Sequence, residues 1–187
     1  ALPIWLVLDL GLGLAWLAVM TLLFGWCGVM SRPVILGASL LGWGLALWPG
    51  RPAELAPRST AGSDSMGGGH ASWWVAAPFV LVITLGALLP SYDFDVNEYH
   101  FQGPREYLAA GRIHWLPHNV YTSFPFATEM LTLWSMIVRD DWYRGAVAGK
   151  LVLALYGLLT AGAVGAVTRR LFGSTAGVFA EIGRAHV

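Results

Sequence analysis

The stretch Phe126–Val138, FATEMLTLWSMIV, decides the topology of this chain. It is apolar, carries Glu129 and follows Pro125. A helix of this length reaches roughly 20 Å at about 1.5 Å per residue, short of a hydrocarbon core of roughly 30 Å. It is therefore expected to lie in or dip into a membrane interface without crossing it. Glu129 calls for a basic partner at the same depth.

The surrounding sequence explains why a membrane enters the argument. Of 187 residues, 56% are hydrophobic and 12% charged, with ten Trp and a net charge of zero. Soluble domains carry about 25% charged residues. A neutral chain also lacks the basic face a nucleic-acid partner would require. The single cysteine, Cys27, has no internal partner, and a small buried thiol in an apolar helix is the simpler reading of it.

Three further segments are apolar enough to cross, Pro3 to Trp26, Trp73 to Leu89 and Gly145 to Val167, and Pro33 to Trp48 is a shorter candidate that flanking residues would extend. A fifth begins near Thr175. Residues 1–49 thus form N-terminal membrane helices, and 50–72 read as a flexible linker rich in Gly, Ser, Pro and Ala. Residues 73–180 form the main membrane domain. The last seven residues, 181–187, resemble a translated sequencing adapter, and both ends read as those of a fragment. If 126–138 does not cross, Arg51, Arg58 and the Arg169-Arg170 pair all face the cytoplasm, as the positive-inside rule prefers. Residues 90–144 then form a long external loop. The fold class expected is all-α: a polytopic transmembrane helical protein whose external loop carries juxtamembrane helices.

That loop concentrates the chemistry. Ser91 to Pro125, SYDFDVNEYHFQGPREYLAAGRIHWLPHNVYTSFP, is dense in acids, histidines and aromatics beside hydrocarbon-compatible segments. Asp93 and Asp95 follow the helix ending at Leu89-Pro90 and arrive at the membrane surface. A partly desolvated carboxylate there can act as a base toward an acceptor hydroxyl; capping of the next helix is the structural alternative. An amphipathic helix is expected from Tyr99 to Leu108, bent at Pro104 and stopped by Gly111. Arg105 and Arg112 suit a lipid phosphate, and surface anchoring to anionic headgroups accounts for them equally well; Lys150 in the last apolar segment either binds a phosphate, pairs or snorkels outward. His100 and His114 offer nitrogen ligands for a divalent metal, but no compact ligand spacing demands one, and the cofactor stays unassigned. No Walker loop, strand-linked GxGxxG, CxxC pair or HExxH occurs.

Three blocks follow one another closely: D-x-D-x-x-x-Y-H (Asp93 to His100), P-x-x-Y-L-x-x-G-R-I (Pro104 to Ile113) and S-x-P-x-x-x-E-M-L (Ser123 to Leu131). G-L-L-T-A (Gly157 to Ala161) and R-R-L-F-G (Arg169 to Gly173) come after them. Together they resemble the N-terminal part of bacterial GT-C class membrane glycosyltransferases, akin to the protein mannosyltransferase and lipid A aminoarabinose transferase families. The likeness covers about residues 73 to 180. It implies inverting sugar transfer from a polyprenyl-phosphate donor to an acceptor at the external face of the bacterial cytoplasmic membrane. Asp95, then Asp93, match the essential loop acid. Glu98, Tyr99, His100, Arg105 and Lys150 are the expected substrate-binding residues, with no metal site. Asn97 and Glu98 depart from the pattern, and the helices before residue 73 lie outside it. A transporter or noncatalytic lipid-binding protein is the alternative.

Overall fold

The computed structural model describes residues 4–46, 69–123 and 126–173, and among these the regular structure is all helix, joined by turns and short loops, with no strand. The helices are α1 (Ile4–Trp26), α2 (Arg32–Ala46), α3 (Gly69–Leu88), α4 (Gln102–Ala110), α5 (Ala127–Arg139) and α6 (Trp142–Phe172). A π-helical turn, Val96–Phe101, leads into α4, and a 3-10 turn spans Val120–Ser123. Most of the expected linker, the expected fifth span and residues 181–187 lie outside the described residues.

The α5–α6 hairpin organises the fold. Asp140 adopts the left-handed conformation, φ 52°, that ends α5. Asp141 then caps α6, its carboxylate accepting from the Arg144 amide at 2.7 Å. Two glycines four residues apart let the helices touch backbone to backbone. A Cβ at Gly145 would collide with the Met136 backbone, and one at Gly149 would lie 2.9 Å from Thr132 Cα.

α5 is the most enclosed element. Glu129 through Leu133 and Ser135 through Ile137 are buried, and α1, α2, α4 and α6 all pack on it. Its burial is thus set by protein neighbours on several sides. Trp134 ties it to α2, donating from Nε1 to Ser39 Oγ at 3.0 Å.

Contacts define one end of the bundle. The Ile113 amide donates to the Gly25 carbonyl at the close of α1, 2.8 Å, while near its start Val7 faces Gly162 of α6. Lys150, early in α6, reaches the Leu89 carbonyl just beyond α3. So α1 and α3 finish where α6 starts, and residues 90–141 are gathered there.

Among the described residues two helices are long and apolar enough to cross a membrane: Leu6–Trp26, mean hydropathy 2.1, and Trp142–Phe172, mean hydropathy 1.9; α2, with 15 residues, and the apolar part of α3, Ala77–Leu88, are shorter. The outer faces of the two long helices carry exposed Leu8, Leu12, Leu155 and Leu171, and α3 adds Leu81, Val82 and Leu85. Such continuous apolar surface suits lipid better than water.

Four local expectations change. α3 begins at Gly69, so the last four residues assigned to the linker are its first turn. Pro104 stands three residues after the π-helical turn Val96–Phe101, inside a helical run that is unbroken over 94–110, and not in a simple α-helix over 99–108. Arg169 and Arg170 lie in the last turn of α6, favourably placed for the helix dipole. Cys27 is exposed in the turn after α1, not buried in an apolar helix.

Candidate functional site

The site is assembled where α3 ends. Asp93 folds the chain back, its Oδ1 accepting from the Asp95 amide at 3.0 Å. Its carbonyl accepts from Asn97 Nδ2 at 2.9 Å. The wide π-helical turn follows, a geometry concentrated at functional sites. This turn aims His100 inward. Its Nδ1 meets Glu129 Oε1 of α5 at 2.5 Å, and Thr128 Oγ1 donates to Oε2 at 2.9 Å. The Glu129 side chain is 7% exposed and that of His100 40%.

Aromatic rings surround this pair. The Tyr99 ring lies 4.2 Å from the imidazole and 5.0 Å from the ring of Tyr121, centroid to centroid. Partial burial, then the negative charges of Asp95 and Glu129, push the Tyr99 phenol above its ordinary range. Tyr99 is therefore a neutral hydroxyl placed between an exposed acid and a buried one. Asn119 holds the later loop against the turn, Nδ2 donating to the Glu98 carbonyl at 2.9 Å.

A cavity of about 130 Å³ opens beside the pair, lined by Ser91, His100, Glu129, Thr132 and Lys150 among others. A second, of about 80 Å³, adjoins it through Ser91, Phe101 and Lys150 and runs toward Trp142 and Tyr143. Lys150 Nζ donates to the Leu89 carbonyl at 2.6 Å.

Of the acids and bases expected in the site, the structure brings His100 and Lys150 to one cavity. Tyr99 stands against His100. Asp95 and Glu98 are exposed one turn away, and Asp95 makes no capping bond. Asp93 shapes the turn. Arg105 lies apart, its guanidinium carbon 4.4 Å over the Trp142 ring. His114 is directed elsewhere, with its Nδ1 3.4 Å from the Arg112 carbonyl. Among the described residues no three His, Cys, Asp or Glu side chains cluster as a metal would need.

Sequence reasoning expected a basic partner for Glu129 but did not place this acid in the site. The signal was present: an acid in a thirteen-residue apolar helix marks a site by default. Thr132 and Tyr121 carried no such signal.

No family model, no curated protein and no solved structure matches this chain.

Proposed function

We propose that this chain belongs to a bacterial membrane glycosyltransferase that moves a sugar from a polyprenyl-phosphate donor to an acceptor at the external face. In this reading α1, α2, α3 and α6 all cross the cytoplasmic membrane. The loop from residue 90 to 141 lies outside, with Arg169 and Arg170 on the cytoplasmic side. One observation carries it. Acids, a histidine, a lysine and two cavities gather at the single end where the apolar helices α1 and α3 stop and α6 begins. A lipid-borne substrate presents its polar head at that depth, while its prenyl chain lies along exposed leucines below.

The roles follow from exposure and charge. Asp95, exposed, takes and orients the acceptor hydroxyl, with Asp93 holding the turn that presents it. Lys150 lines both cavities and spends one of its three N–H groups on Leu89, which leaves two for a donor phosphate oxygen. Tyr99 and Glu98 offer a ring face and a carboxylate to the sugar. Arg105 on Trp142 suits the headgroup rim.

The test is transfer from radiolabelled polyprenyl-phosphate sugar by the full-length protein in liposomes. Turnover that falls at least 100-fold in Asp95→Asn, at normal expression, supports the reading. Binding without turnover indicates a lipid-binding protein, and neither result leaves a transferase.

A further inference from the structure

We propose that His100, positioned by Glu129, is the group that accepts the proton from the attacking hydroxyl. This deepens the glycosyl-transfer reading and rests on it.

The geometry decides which nitrogen does what. A carboxylate only accepts hydrogen bonds, so with Glu129 ionised the hydrogen at the 2.5 Å contact belongs to His100 Nδ1. Neutral imidazole then carries its lone pair on Nε2. Nδ1 is turned to a carboxylate that is 7% exposed, whereas the imidazole side chain as a whole is 40% exposed. Nε2 is the ring nitrogen that Glu129 leaves unengaged, and His100 lines the cavity that Lys150 also lines.

Both members of the pair are held. Thr128 occupies the second Glu129 oxygen, and the Tyr99 ring stands against the imidazole. A buried carboxylate that sets the tautomer and orientation of a histidine beside a cavity is the arrangement by which hydrolases activate hydroxyls. Here the pair spans two elements, the π-helical turn and α5, so it exists only in the folded protein.

The step balances without a further reactant. The acceptor oxygen forms a bond to the anomeric carbon as the bond from that carbon to the phosphate oxygen breaks. The bonding electrons leave with the polyprenyl phosphate. The hydroxyl proton passes to His100 Nε2 and returns from the ring to water. Asp95 orients the acceptor and Glu129 positions the histidine.

Two substitutions separate chemistry from structure. His100→Asn keeps an N–H close to the Nδ1 position, and so the bond to Glu129, but has no Nε2. His100→Ala leaves space for added imidazole. In the full-length protein in nanodiscs, His100→Asn is expected to keep wild-type elution and melting, whereas His100→Ala keeps its elution but melts lower, because buried Glu129 loses a partner. Both should lose transfer by 10²–10⁴-fold in kcat, with little change in KM. Imidazole should restore part of the His100→Ala activity, and Glu129→Gln should lower kcat. Histidine ¹⁵N spectra should show the Nδ1–H tautomer at His100, lost in Glu129→Gln. Full transfer by His100→Asn, or no rescue by imidazole, overturns the proposal while the transfer reading stands. An inactive wild-type protein overturns both.

Discussion

The Lys150 ammonium donates to the main-chain carbonyl of Leu89 at 2.6 Å, joining an early turn of α6 to the residue after α3. A carbonyl at a helix C-terminus has no partner within its own helix, and a cation there also meets the negative end of the dipole. Lys150→Met is therefore expected to loosen the α3 end. Amide exchange over residues 84–92 should rise by about fivefold, matching a bond worth about 1 kcal/mol. Unchanged exchange would make the contact incidental.

Backbone contact between α5 and α6 depends on Gly145. Gly145→Ala places a methyl group against the Met136 backbone, which cannot retreat as a flexible side chain can. A loss of about 1–3 kcal/mol is expected from overpacking. Gly157→Ala on the same helix meets nothing within 4 Å and should be neutral or gain up to about 1 kcal/mol. Melting of the two variants side by side checks the contrast.

Glu106 links α4 to the later loop. It accepts from Gln102 Nε2 at 2.7 Å and pairs with His118 Nε2 at 2.9 Å. Burial alone would raise its carboxyl, but the hydrogen bonds from His118 and Gln102 outweigh burial and hold it below the ordinary range. A carboxyl lowered in the folded state stabilises it above the unfolded value. That contribution is lost as pH falls through the folded value. Residues 112–119 should therefore exchange faster on acidification below about pH 4.5. Glu106→Gln should flatten that dependence, and an equal acid response in the variant would refute it.

Cys27 supplies a native topological probe. It is the chain's single cysteine, exposed in the turn after α1, and the neighbouring Gly25 carbonyl is bonded to Ile113 of the loop. A membrane-impermeant maleimide should label Cys27 in intact cells from the side that reaches Asp95→Cys in a Cys27→Ser background. Labelling from opposite sides would dismantle the shared end of the bundle and the proposed site with it.

Residues whose meaning is local were readable in advance. Gly111 ends α4 in the left-handed conformation, φ 65°, because a glycine adopts it without a Cβ clash. Long apolar runs near 4–26 and 142–172 read as helices because hydrocarbon tolerates little else. The burial of α5 was not legible, since thirteen apolar residues look alike on a surface and inside a bundle.

The order of apolar and polar segments along the chain was sufficient to determine an all-helical protein with its titratable chemistry in one loop. Hydrophobic run length and capping act over neighbouring residues, so one dimension suffices for them. Which acid meets which base was decided only in three dimensions. His100 and Glu129 are 29 positions apart, and Lys150 lies further still from Leu89. Their encounter depends on a π-helical turn and a glycine-lined helix contact whose energies are set by packing, which no local pattern of residues encodes.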